Sequence, residues 1–209
     1  MSNPAKSVPY FSQWESRELT AAFLAQGASA LRSDPNWAMS GAETLDEYVL
    51  WAGNLCGMAC LKMILAARTG HSVPMLDLAR KCTTYGGYRI DQDGQIKGLI
   101  YAPFVDFVRQ EFAVDAEIVA GIGASEIPTL LGEHEFFMAS VHPSIRSPDG
   151  EPPSRGGHLV LVLGASDNAI VFHNPSGYIE SSQEYASLPC SSFDKYFAGR
   201  GIMIKPGRD

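Results

Sequence analysis

Long apolar runs are the first thing this sequence lacks. None approaches the ~20 residues needed to span a bilayer, and Met1 to Pro9 carries one Lys6 but no apolar h-region, so neither a membrane span nor a signal peptide is expected. Basic residues are the second shortage. Sixteen Lys+Arg against 23 Asp+Glu give a formal net charge of −7, a field that repels phosphate backbones and anionic lipid. Nucleic-acid and membrane partners are therefore not expected, and cytoplasm is the default compartment. Cysteine is sparse as well. Cys56, Cys60, Cys82 and Cys190 are too few to staple 209 residues and read as thiols, not as a disulfide framework. No two of them form a C-x2-C pair, and His134 and His142 are too far apart for zinc-ligand spacing. Asp91-Gln92-Asp93-Gly94 opens like a calcium loop, but its twelfth position is Ala102 and not glutamate, so it reads as a polar turn. No metal and no cofactor are expected. Repeats, charge runs and low-complexity tracts are missing too, and nothing marks a domain boundary between residues 1 and 209.

What is present is ordinary globular material, 45% hydrophobic and 10% aromatic, enough to exclude global disorder. Val8-Pro9-Tyr10-Phe11-Ser12-Gln13 reads as an extended segment, because Pro9 fixes its own φ and pushes Val8 out of the helical region. Residues 18–31 carry apolar side chains at helical spacing. The pattern is clearer from Cys56, where Ala59, Cys60, Met63, Ile64 and Ala67 continue one stripe until Thr69-Gly70 stops it. Further helices are predicted around Met75 to Cys82 and Tyr101 to Phe112, with polar, glycine-rich loop between them. The second half changes period. Phe136 to Val141, His158 to Leu163, Ala169 to His173 and Gly201 to Ile204 are short apolar runs bounded by turn residues, the pattern of buried strands. Helices followed by strands predict an α+β fold, N-terminal helices packed on a C-terminal antiparallel sheet. Residues 143–157, rich in proline and glycine, read as a long surface loop.

Four residues carry the chemistry. Cys56 opens its helix, where the positive end of the dipole and the unpaired first-turn amides favour thiolate, so a lowered thiol pKa is expected. Taken alone it reads first as a small apolar helix residue, which is what most free cysteines are. His158 begins an apolar strand just after Gly156-Gly157, a position from which an imidazole can act as general base or sit as a satisfied strand-end histidine. If Leu163 and Ala169 flank a five-residue loop, the antiparallel register puts Asn174 opposite His158. There its amide would orient the ring by accepting the Nδ1 proton. A two-residue Asp167-Asn168 turn would shift that register, and Asn174-Pro175 also reads as a plain turn. Gln13 offers a side-chain amide that could serve an oxyanion together with the nucleophile's own N–H. Tyr10, Trp14, Trp51 and the 143–157 loop, with Arg155, are candidate pocket walls, although both tryptophans read first as core.

Val8-Pro9-Tyr10-Phe11-Ser12-Gln13, Asn54-Leu55-Cys56-Gly57-Met58-Ala59, the run from Gly157-His158 to Leu163-Gly164 and His173-Asn174-Pro175, in that order, resemble the C39-like branch of the papain-like cysteine peptidases. The resemblance covers essentially the whole chain. It implies a papain-like fold with Cys56 as nucleophile, His158 as base, Asn174 as orienting residue and Gln13 as oxyanion donor. Two features depart from the family: Asn174 stands where Asp is common, and the segment from Gln13 to Cys56 is long. The expected substrate is a peptide or acyl group carried as a Cys56 thioester. Transfer to water would make the protein a peptidase, and transfer to an amine an acyltransferase, amide ligase or cyclase. An inactive binding module on the same scaffold is the third reading. With no long stretch ahead of Val8 to act as an inhibitory propeptide, narrow specificity is expected.

Overall fold

In the computed structural model, which describes residues 2–207, the central helix runs Cys56–Thr69 and ends at Gly70 in the left-handed region, as its apolar spacing and its stop signal predict. Every residue from Gly57 to Leu65 is buried. A stripe facing a sheet explains half of that burial. The rest comes from the Leu45–Ala52, Met75–Thr84 and Tyr101–Phe112 helices and the Val8–Phe11 segment, which close over its other sides. Even Lys62 is buried, with its ammonium 4.6 Å from the centroid of the Phe11 ring.

The fold is α+β, as predicted. Six strands form one antiparallel sheet in the order Ala116–Ala120, Phe197–Ile204, Phe136–Val141, His158–Ser166, Ala169–His173 and Ala186–Pro189, and the short Ser2–Asn3 strand joins the far end of His158–Ser166. Alternation sorts the side chains of the middle strands between two cores. Leu159, Leu161, Leu163, Met138 and Ile202 pack toward the central helix, whereas Val160, Val162, Phe137, Ala139 and Met203 pack against Phe193 and Tyr196 of the Cys190–Tyr196 helix. A third cluster, around Trp14, Phe23, Leu31 and Tyr48, holds the N-terminal helices together.

Several expectations change. The helix expected over residues 18–31 is broken into a 3-10 turn, Thr20–Gln26 and Ala28–Leu31, because Gly27 takes φ +57° between the latter two. Ala116–Ala120 and Ala186–Pro189 were not predicted as strands; both lie at sheet edges, where burial is partial and the apolar signal thin. The 143–157 loop opens with a 3-10 turn, Pro143–Arg146, anchored by the buried Ile145. Asp91 closes the tip of the Arg89–Ile90/Ile96–Lys97 hairpin by accepting the Gln95 N–H at 2.7 Å. Among the described residues no single helix is long and apolar enough to cross a membrane.

Two glycines separate packing from backbone freedom. A Cβ at Gly201, in the sheet interior, would lie 2.3 Å from the Met138 carbonyl oxygen, while one at Gly53, where φ is −70°, would meet nothing within 4 Å. Gly201→Ala is expected to lower the unfolding free energy by about 3 kcal/mol. Gly53→Ala is expected to raise it by about 0.5 kcal/mol. Chemical denaturation checks both, and equal effects would contradict the sheet register.

Candidate active site

The Cys56 thiol sits at the first position of the central helix, after Leu55, which offers no side-chain cap. The first-turn amides are thus free to face a ligand. Packing of the helix against the sheet brings the start of the His158–Ser166 strand over this end, and Cys60, one turn deeper, directs its Sγ at the Leu159 carbonyl at 3.8 Å. Burial pushes the Cys56 thiol up, and it outweighs the backbone N–H groups of Leu159, Gly57 and Cys56 itself and the Arg146 charge, all of which favour thiolate. The lowered pKa expected from the helix start is therefore corrected. The dipole is present as predicted, but the covering strand removes the water that a thiolate needs.

His158 and Asn174 meet. Asn174 Oδ1 lies 2.8 Å from His158 Nε2 and also accepts the Ser176 N–H at 3.1 Å. The backbone donor fixes which end of the amide is oxygen, so Nε2 carries the proton and Nδ1 keeps a free lone pair. The expected contact is therefore made through the other ring nitrogen. Its register differs too. The connection after Ser166 is the two-residue Asp167-Asn168 turn, Leu161 pairs with His173, and the ladder slips between Val162 and Gly164. Continued to its end, that register carries residue 158 past 174 to 176, so Asn174 reaches the ring along a diagonal and Ser176 comes with it. Ser176 Oγ is 3.1 Å from His158 Nε2 and accepts from Arg146 Nη2 at 2.9 Å. Burial lowers the His158 pKa to about 4; the Asn174 hydrogen bond opposes this and the Arg146 charge adds to it. Asn174 Nδ2 is buried without a hydrogen-bond partner, as is Arg146 Nε, so this network is held at some cost in unmade hydrogen bonds.

The N-terminal segment braces the same turn. Tyr10 donates to the Asn174 carbonyl at 3.0 Å, and the Ser12 hydroxyl and Gln13 N–H donate to Pro175 O at 3.0 and 2.9 Å. His173 is structural: Nε2 donates to Val8 O at 3.0 Å and Nδ1 accepts the Tyr185 N–H at 3.0 Å, which leaves it neutral and its pKa lowered, chiefly by burial. Gln13 Nε2 donates to the Ala52 carbonyl at 3.0 Å. Gln13 thus bridges the Asn174 turn to the helix preceding Cys56.

A cavity of about 340 Å³ is lined by Cys56, His158, Gly98, Leu99, Tyr101, Ser140, Gly157, Leu159 and Arg200. Trp14 and Trp51 belong to the core and Arg155 is not in the lining. The structure accordingly brings Cys56 and His158 into one cavity lining and bonds Asn174 to the His158 ring, while Gln13 ties the Asn174-Pro175 turn to Ala52. Sequence reading missed Ser176, Arg146, Tyr101, Ser140 and Arg200. Tyr101 had been legible only as a face of its helix, and the others carry no local signal.

The architecture can now be compared with known proteins. The peptidase domain of Streptococcus ComA, a bi-functional ABC transporter involved in a quorum-sensing pathway, superimposes with a TM-score of 0.50 at 15% identity, over 73% of this chain and 92% of that one. The fold is that of a C39 peptidase domain. A C39-like peptidase from Bacillus anthracis aligns with a TM-score of 0.49 at 13% identity, over 74% of this chain and 90% of that one. No family model and no curated protein matches the sequence. On this C39-like fold the ring is oriented by a neutral amide with an arginine behind it. Removing that charge in Arg146→Gln, or adding a carboxylate in Asn174→Asp, should raise the His158 pKa, because both favour imidazolium. NMR titration of the His158 ring checks this, and an unchanged midpoint in both variants would refute the electrostatic account.

Proposed function

We propose that this protein is a cysteine peptidase of narrow specificity that works through a thioester on Cys56. The observation that carries the reading is the Nε2–Oδ1 bond between His158 and Asn174, which leaves Nδ1 unprotonated on an imidazole that lines the same cavity as the thiol. With the thiol raised and the imidazole lowered, the resting pair is uncharged, so the proton moves during attack and not before it. Sγ bonds to the carbonyl carbon as His158 Nδ1 takes the thiol proton. The oxyanion is received by the Cys56 N–H and the second hydrogen of Gln13 Nε2. Collapse expels the amine, which leaves with the proton from Nδ1. Water, deprotonated at Nδ1, then attacks the thioester, and Sγ departs as thiol. An amine in place of that water would give amide transfer by the same residues.

Cys56→Ala and His158→Ala should each abolish cleavage, measured on a peptide library by mass spectrometry, and full activity in either would refute the assignment. Gln13→Ala should lower kcat by about 10²-fold to 10³-fold; an unchanged kcat would leave Gln13 only its bridge to Ala52. Rapid digestion of unfolded casein would overturn narrow specificity. The pH dependence has a definite sign. The base must be neutral, so kcat/KM should fall only near pH 4, and Cys56 alkylation should still be rising above pH 9. A plateau in alkylation at pH 6–7 would indicate a preformed ion pair and sink the uncharged resting state.

A further inference from the structure

The cavity beside Cys56 contains no acidic side chain, although the chain has 23 Asp+Glu against 16 Lys+Arg. Its one lysine or arginine is Arg200, which extends from the Phe197–Ile204 strand and makes no ion pair among the described residues. Five of the other eight described arginines pair with carboxylates: Arg17 with Glu184, Arg32 with Asp46, Arg68 with Glu135, Arg80 with Glu47 and Arg109 with Asp106 and Asp115. Arg200 instead faces hydroxyls. The Tyr101 hydroxyl interacts with both Ser140 and Arg200, and the Arg200 Nη2 and Ser140 Oγ atoms lie 3.5 and 3.2 Å from where a Cβ on Gly156 would stand, so they converge under the turn that delivers His158. Gly156 has φ +89°, which a side chain would strain. The electrostatic partner of the thiol is a different arginine, Arg146, which reaches it from behind His158. Arg200 is therefore left over by the catalytic pair: an exposed guanidinium without a carboxylate partner among the described residues, beside the Tyr101 and Ser140 hydroxyls in the lining of the cavity that also holds Cys56 and His158.

We infer that Arg200, with Tyr101 and Ser140, forms a carboxylate-binding subsite, so that the substrate places a carboxylate in the cavity next to the bond that Cys56 attacks. A planar guanidinium matches a carboxylate with two parallel hydrogen bonds, and neighbouring hydroxyls can donate a third. The source of the carboxylate is an acidic side chain or a chain terminus, which share this chemistry. The inference rests on Cys56 being the nucleophile, and the test keeps the two claims apart.

Three affinity reagents decide it: iodoacetyl-glycine, which carries a terminal carboxylate; iodoacetyl-aspartic acid α-amide, which carries a side-chain carboxylate; and iodoacetyl-glycinamide, which carries none. The rate of Cys56 alkylation by each is followed by mass spectrometry and divided by its rate with free cysteine. At least one acidic reagent should lead the neutral one by about tenfold, and the leader identifies the source. Arg200→Gln should bring that ratio to near unity and Tyr101→Phe should reduce it, whereas Arg155→Gln, outside the cavity, should keep it. Equal rates for all three reagents in the unaltered protein, or a preference that survives Arg200→Gln, would overturn the subsite while leaving the nucleophile standing. Labelling spread over all four cysteines with no preference for Cys56 would overturn the nucleophile, and the subsite with it.

Discussion

The seating of the central helix against the sheet is the constraint on which everything else depends. Leu159, Leu161 and Leu163 project from one face of a strand into the same core as Met58, Ala59, Cys60 and Met63, and that apolar contact sets where the helix begins relative to the strand. Since Cys56 is the first residue of the helix and His158 the first of the strand, fixing the two elements fixes the two functional groups. Hydrophobic burial supplies the force and has no direction of its own; direction comes from the alternation of the strand and the 3.6-residue period of the helix. The cost falls on the thiol, because the same contact that positions it also strips it of water.

A second tie operates at the far side of the imidazole. Asn174 leaves the sheet at a turn, where a side chain would ordinarily be loosely held. Here the turn is laced to the Val8–Gln13 segment through Tyr10, Ser12, Gln13 and His173. Residues more than 160 positions apart in sequence are joined by these hydrogen bonds, so orientation of the ring requires the N-terminus to be in place. Gln13, which reaches Ala52 at the same time, links the Asn174 turn to the helix that precedes Cys56. A misplaced N-terminal segment would thus disturb His158 without touching it.

How much of this was legible in the sequence follows from the range over which each signal acts. The Cys56 helix and the strand runs were readable because their periodicity is written into consecutive residues. His158 and Asn174 meet through a register other than the expected one: the two-residue Asp167-Asn168 turn and a slip between Val162 and Gly164 displace the ladder, and Asn174 reaches the ring from two residues before the register partner. The helix dipole at Cys56 was readable and its consequence was not, since the strand that covers the sulfur arrives from about a hundred residues away. Tyr101, Ser140 and Arg200 were illegible for the same reason in purer form. Each comes from a different element, each has an unremarkable local role, and only the fold makes them neighbours.

The departure at position 174 explains the electrostatic character of the site. A carboxylate there would stabilise an imidazolium and neutralise Arg146; a neutral amide does neither, and it leaves an arginine close to a ring that burial already disfavours charging. Burial and the Arg146 charge thus both disfavour a positive charge on His158. The same field would act oppositely on the proposed reaction, because carbonyl attack by sulfur concentrates negative charge on oxygen, and negative charge is what Arg146, the first-turn amides of the helix and Arg200 all favour. On the proposed reading, a site that disfavours the thiolate would still favour the anion that acyl transfer creates. In a chain whose net charge is −7, Arg146 and Arg200 have no ion-pair partner among the described residues, and on the proposed reading they mark the place where a negatively charged transition state, and a negatively charged substrate, would be received.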